Sequence, residues 1–233
     1  MKIKFVIILF GVLFLAHPVQ AQDQEVLKSK KDKMSYSMGV DIGRTLKSQD
    51  LDVDPEILAR GLKDALTERK LLMNDQEMTD TLTTFKEEFL AKKREETKKM
   101  GEQNKKEGEA FLSANKKKAG VVTLPSGLQY QVIKPGTGKK PKATDTVTVH
   151  YRGTLVNGKE FDSSYRRGKP VTFPVNGVIR GWVEALQLMQ EGAKWQLFIP
   201  SDLAYGQRGA GPDIGPNATL VFEVELISVG EKK

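Results

Sequence analysis

Nucleophilic and metal chemistry is hard to assemble from this sequence. It has no cysteine and two histidines. One of them, His17, lies in a leader-like segment, so His150 would be the lone imidazole of the remaining chain. A Ser-His-Asp arrangement or a histidine-clustered metal site is therefore poorly supplied, and thiolate sites are absent. No metal and no cofactor are expected. Aromatic side chains are the more suggestive resource. In "VIRGWVEALQLM" the chain turns into a short helical pattern after Arg180-Gly181, and Trp182 stands at its first position. An indole at the mouth of a helix offers a flat apolar face, which suits binding rather than bond-breaking.

The N-terminus reads as an export signal. "MKIK" is a basic start, Phe5 to Ala16 is a twelve-residue apolar run, and Val19-Gln20-Ala21 is a small-residue cleavage site. Spanning a bilayer needs ~20 apolar residues, so residues 1–21 read as a cleaved signal and the mature chain as starting at Gln22, with no transmembrane span. Without a cysteine at the cut, lipidation there is excluded. The net charge of +7 falls to +5 once Lys2 and Lys4 are removed. Residues 22–120 carry 21 basic and 20 acidic side chains, and residues from 121 onward carry 14 and 10. Such mixing describes a solvated surface rather than the one-sided basic face of a nucleic-acid binder. No nucleic-acid partner is expected.

Two halves use different spacing. In the first, Met34, Met38, Ile42 and Leu46 recur every four residues and predict a helix over 30–48. Asp54-Pro55 is a helix start, followed by an apolar face of Ile57, Leu58, Leu62, Ala65 and Leu66. Asn74 with Glu77 predicts a capped third helix whose seam is Met78, Leu82, Phe85 and Phe89. From Lys92 to Glu109 only Met100 is large and apolar, which reads as a solvated helix or as a rigid spacer. Gly101 and Gly108 mark places for a bend or break, each costing ~1 kcal/mol relative to alanine. Three helices with so few large apolar residues lack a monomeric core, so a homodimer is expected through this half. Ser35, Gly39 and Gly43, four residues apart, would let two helix backbones approach closely.

From Val121 the spacing alternates. Gly127–Ile133, Asp145–Leu155, Val171–Phe173, Trp195–Ile199 and Thr219–Val229 predict five strands, and Asn157-Gly158 predicts a hairpin. One helix, Gly181–Gln190, is ended by Gly192 and would cover the sheet through Leu186 and Met189. The fold class is α+β: an N-terminal helical dimerisation domain (22–90), a charged linker helix (91–120), and a five-stranded antiparallel half-barrel wrapped on one short helix (121–233).

The stretches "VHYRGTLVNGKEFDSS", "VIRGWVEALQLMQEGAKWQLFIPSDLAYG" and "NATLVFEVEL" resemble the FKBP family of peptidyl-prolyl cis-trans isomerases over about residues 127–229. "SYSMGVDIGRTLKSQ", joined through a charged helix to "SGLQY", resembles the secreted bacterial FkpA/Mip-type subgroup, whose members are homodimers. The resemblance implies that Trp182 is the floor for a substrate proline ring. It implies walls of Tyr151, Phe161, Phe173, Val178, Ile179, Tyr205 and Phe222, with Ile214 added from the long loop. Asp162 would be the single charge at the rim, and the Ile179 N–H and the Tyr205 hydroxyl would bind substrate carbonyls. It further implies X–Pro isomerase activity on unfolded exported proteins with a dimeric chaperone role, affinity for the macrolides that bind this family, and a periplasmic or outer-membrane-associated location. The alternative is a non-catalytic chaperone or adhesin using the same pocket and helical cradle. Val171 and Ala210 depart from the best-known single-domain members, which bears on substrate and macrolide preference.

Overall fold

The computed structural model describes residues 27–230, so the expected signal segment lies outside the described residues. The chain divides into one unit that ends at Met78 and a second that begins at Thr79.

In the first unit, helix α1 spans Lys30–Ser48, the range its apolar spacing predicts. Ser29 and Asp32 cap it reciprocally: Ser29 Oγ accepts from Asp32 N at 3.1 Å, and Asp32 Oδ2 accepts from Ser29 N at 2.7 Å. Helix α2, Pro55–Leu66, starts where Asp54 accepts from the Glu56 and Ile57 amides at 2.9 and 3.0 Å, with proline in the first turn. Neither helix buries a large apolar side chain; Asp64 is the buried residue of α2, and α1 has none.

Helix α3 runs unbroken over Asp75–Asn115, or about 60 Å at ~1.5 Å per residue. The expected box at its start is present, with Asn74 and Glu77 exchanging hydrogen bonds at 2.8 and 2.9 Å. Neither Gly101 nor Gly108 breaks it. They are buried, seven residues apart, with Asn115 seven further on. A Cβ at Gly108 would collide with Thr219 Oγ1 and stand 3.0 Å from Thr219 Cβ; one at Gly101 would stand 3.2 Å from Pro216 Cβ. These glycines therefore serve close approach, not flexibility. Asn115 Nδ2 donates to Gln129 Oε1 at 3.0 Å, and Gln129 Nε2 donates to the Leu112 carbonyl at 3.0 Å. Phe111 packs on Phe198 at 5.9 Å between centroids. The Lys- and Glu-rich stretch is thus a solvated helix on one side and a docked one on the other.

Seven strands, rather than five, follow: β1 Val121–Thr123, β2 Gln129–Lys134, β3 Thr146–Leu155, β4 Glu160–Ser163, β5 Val171–Pro174, β6 Lys194–Ile199 and β7 Leu220–Gly230. The two additions, β1 and β4, are too short to show a period in sequence. The order is β1-β2-β6-β7-β3-β4, with β5 pairing the β4 edge of β3 further along, and all pairings are antiparallel. Helix α4, Arg180–Leu188, fills the sheet's concave side. Its Trp182, Ala185 and Leu186 are buried with Met189 just beyond. They join Val147 and Val149 of β3, Trp195, Leu197 and Ile199 of β6, and Leu220, Phe222, Val224 and Leu226 of β7. That alternation follows from the pleat, which turns every second side chain to one face. Leu186 is fully excluded from solvent, as are Met189 and Leu197.

Candidate functional site

The pocket lies at one end of this core, where neighbouring elements each deliver one or two side chains. Tyr151 comes from β3, Phe161 and Asp162 from β4, and Phe173 from β5. Val178 and Ile179 precede α4, Trp182 lies in its first turn, Phe222 is on β7, and Tyr205 follows a 3-10 turn over Ser201–Leu203. Together with Gly177 these residues enclose about 400 Å³. Nine of the ten residues expected from sequence line it. The tenth, Ile214, is buried in the core at 8% exposure, and its backbone exchanges hydrogen bonds with Ala210 at 2.8 and 3.2 Å. That pairing joins the two sides of its loop, and Ile214 is not among the residues that line the cavity.

Trp182 is the floor, 4% exposed. Three rings meet it edge-on or nearly so: Tyr151 at 5.4 Å and 90°, Phe222 at 5.2 Å and 85°, and Phe173 at 5.6 Å and 61°. Phe161 meets Phe222 at 5.5 Å and 84°. Such edge-to-face pairs add ~0.5–1.5 kcal/mol each beyond their area and lock the rings in place. Gly153, opposite both Phe222 and Asp162 in the sheet, makes room for them; a Cβ there would stand 2.7 Å from atoms of Phe161 and Phe222.

Polar groups are few and placed at the edge. Asp162 accepts from the Tyr151 hydroxyl, from Arg167 Nη1 and, at 2.8 Å, from the Ser163 N–H. Arg167 Nη2 donates to the Tyr151 hydroxyl at 2.8 Å, and the guanidinium lies 5.5 Å from that ring's centre. Burial pushes the Asp162 pKa up, but the hydrogen bonds from Tyr151 and Arg167 and the guanidinium charge outweigh it, leaving the carboxyl below its ordinary value. Burial, reinforced by the hydrogen bond to Asp162, raises the Tyr151 phenol above its own. At neutral pH the rim is therefore a carboxylate, a guanidinium and a neutral phenol. Tyr205 is 41% exposed, and its hydroxyl has no hydrogen-bond partner among the described residues. The Ile179 N–H, just before α4, is likewise unengaged among them.

Sequence reasoning missed Arg167 and Gly177. "SSYRRG" offers two adjacent arginines, and nothing in composition separates them. In the fold Arg166 reaches Glu160 at 3.4 Å, while Arg167 turns to Asp162. Among the described residues no group of three or more histidine, aspartate or glutamate side chains could hold a metal. The carboxylate is occupied by donors, and no nucleophile–base pair faces the cavity.

Known proteins resemble this chain in sequence and fold. The family model described as FKBP-type peptidyl-prolyl cis-trans isomerase matches residues 137–227, and the model for the domain amino-terminal to it matches residues 31–132. The chain is 49% identical to the outer membrane protein MIP of Legionella longbeachae, covering 98% of both chains. It is 48% identical to the peptidyl-prolyl cis-trans isomerase Mip of Coxiella burnetii, covering 88% of this chain and 90% of that one. The crystal structure of FkpA from Escherichia coli superposes with a TM-score of 0.68 at 40% identity, covering 88% of this chain and 99% of that one. With both family models matching in order and relatives matched along nearly its whole length, the chain belongs to the FKBP-type peptidyl-prolyl cis-trans isomerases.

Proposed function

We propose that this isomerase acts as a dimer on proline-containing, unfolded exported proteins in the periplasm or at the outer membrane, catalysing at the Trp182 pocket and holding clients between its copies. The observation that carries the catalytic assignment is a cavity lined by six aromatic side chains, with its one carboxylate neutralised by Arg167. Rotating an X–Pro amide must cross ~18–20 kcal/mol because the planar bond is conjugated. No bond breaks, so neither nucleophile nor base is needed. The planar amide is more dipolar than the twisted one, so a pocket poor in water favours the twisted form. Trp182 would seat the proline ring, with Phe161, Phe173, Val178 and Phe222 around it. The free Ile179 N–H and Tyr205 hydroxyl would donate to carbonyls in the geometry that the twisted amide presents, binding the transition state more tightly than the ground state. Asp162 and Tyr151 shape the rim rather than transfer a proton.

Dimerisation is supported by the first unit, where Met34, Met38, Ile57 and Leu62 are all at least 50% exposed. A second copy is the occupant that matches its length and its deficit of core. A Cβ at Gly39 or Gly43 would meet no neighbouring atom, so this face of α1 is open to a close approach. The sequence-based export signal supports the location, as does a relative described as an outer membrane protein. Macrolide binding follows from the same aromatic cavity.

The test of the site is a protease-coupled isomerisation assay on Xaa-Pro peptides. Asp162→Ala, Tyr205→Phe and Trp182→Ala should each lower kcat/KM by about tenfold, the loss from one or two well-placed contacts, with circular dichroism unchanged. If none changes the rate even by about twofold, the assignment is wrong.

A further inference from the structure

The docked half of α3 touches the segment that closes the pocket, not an indifferent part of the sheet. Asn104 Nδ2 donates to the Pro216 carbonyl at 2.8 Å, and Asn217 Nδ2 donates back to the Gly101 carbonyl at 3.2 Å. The two amides thus exchange hydrogen bonds between helix and loop across more than a hundred residues of sequence. Asn217 holds a left-handed backbone, with φ of 55°, and its N–H donates to the Gly206 carbonyl at 2.8 Å. Gly206 directly follows Tyr205. One contiguous set of contacts therefore runs from the helix, through Asn217, to Gly206, the chain neighbour of the residue that carries the unengaged hydroxyl. On the other side of Pro216, Gly215 lies so close to Met100 that a Cβ would stand 2.8 Å from its sulfur. Gly215 follows Ile214, whose backbone bonds to Ala210 fasten the loop's tip. Gly108 admits Thr219 at the loop's end, immediately before β7 and Phe222.

We propose that Asn104 and Asn217 are positioning residues, and that α3 acts through them as a brace fixing the 205–217 loop so that the Tyr205 hydroxyl is held at the pocket rim. This rests on the assignment of Tyr205 as a substrate donor. The helix then has a part in the chemistry: it removes freedom from an exposed loop before substrate arrives, so binding need not. A hydrogen-bond donor mobile over an ångström loses much of its preference for the transition state. The brace lies wholly within the unit that begins at Thr79, on the helix face marked by the heptad spacing of the buried Gly101, Gly108 and Asn115.

The experiment is a double-mutant cycle on the full chain, reading kcat/KM for an Xaa-Pro peptide in the parent, Asn104→Ala, Tyr205→Phe and the double variant. Asn104→Ala should lower kcat/KM by about three- to tenfold, the effect of one net hydrogen bond. In the Tyr205→Phe background the same substitution should change the rate by less than about twofold, because the group it positions is gone. Amide exchange at Ile214 and Asn217 should quicken in Asn104→Ala. Gly108→Ala, which forces the helix away from Thr219, should reproduce both effects and serves if Asn104→Ala is poorly folded. An equal loss in both backgrounds, no loss, or unchanged loop exchange overturns the brace. Tyr205→Phe at the parent's rate would remove the Tyr205 assignment and the brace with it; an impaired Tyr205→Phe beside an unimpaired Asn104→Ala would remove the brace alone.

Discussion

At the scale of residues, Asp162 shows how environment decides a role. The same carboxyl in an apolar pocket without donors would be raised toward neutrality and could serve as an acid. Here Tyr151, Arg167 and the Ser163 amide hold it below its ordinary value of 3.8. Its folded pKa is lower than its unfolded one, so the stability it contributes is fully present above the unfolded value. That stability is lost as pH falls through the folded value. The expected outcome is a carboxyl carbon titration of Asp162, followed by NMR, with its midpoint below 3.8 and no inflection near neutrality. Arg167→Ala should move that midpoint upward, since it removes both a donor and the neighbouring charge. An unmoved midpoint would mean that Tyr151 and the Ser163 amide suffice without the guanidinium.

Among elements, α4 does two tasks with one short turn of sequence. Its first turn presents Trp182 to the cavity, and Leu186, one turn on, is fully buried against the sheet. Leu186→Ala should lower the free energy of unfolding by about 2–5 kcal/mol, measured by urea denaturation with tryptophan fluorescence. A cost under ~1 kcal/mol would place the core elsewhere. How well elements could be read depended on their length. Helix α1 and the β3 and β7 strands repeat their apolar period several times, so their ranges stand out in sequence. Strands β1 and β4 span three and four residues and have no period to read. The pocket was legible because its aromatic residues arrive with the order and separations of a known family. The same order carried Ile214, which in the fold is buried and not among the residues lining the cavity. Gly101 and Gly108 were read as weak points because propensity treats glycine as a cost. Only tertiary contact shows that an absent side chain makes room for Pro216 and Thr219. Asn104 carried no signal at all, because its partner is a backbone carbonyl more than a hundred residues away.

Over the whole molecule, every buried large apolar side chain among the described residues lies between Leu128 and Val229, so the helical unit contributes none. That imbalance predicts a dimer by light scattering across micromolar concentrations, with Ile57→Asp in the exposed face of α2 shifting it toward monomer. A folded monomer in the parent would contradict the account. The central claim is that one chain joins a complete catalytic pocket to a helical unit that multiplies its effect on long substrates. A short peptide meets a single pocket, whereas in the proposed dimer an unfolded protein would engage two pockets and the helical units together. Linking sites in this way raises avidity by ~10²–10⁴ where geometry permits. The most direct measurement compares the full chain with a fragment beginning at Thr79, which keeps the docked α3 and the entire core. Peptide turnover and acceleration of a proline-limited refolding reaction are measured for both at equal pocket concentration. The account predicts equal peptide turnover and refolding acceleration at least about tenfold weaker for the fragment; equal refolding acceleration would contradict it.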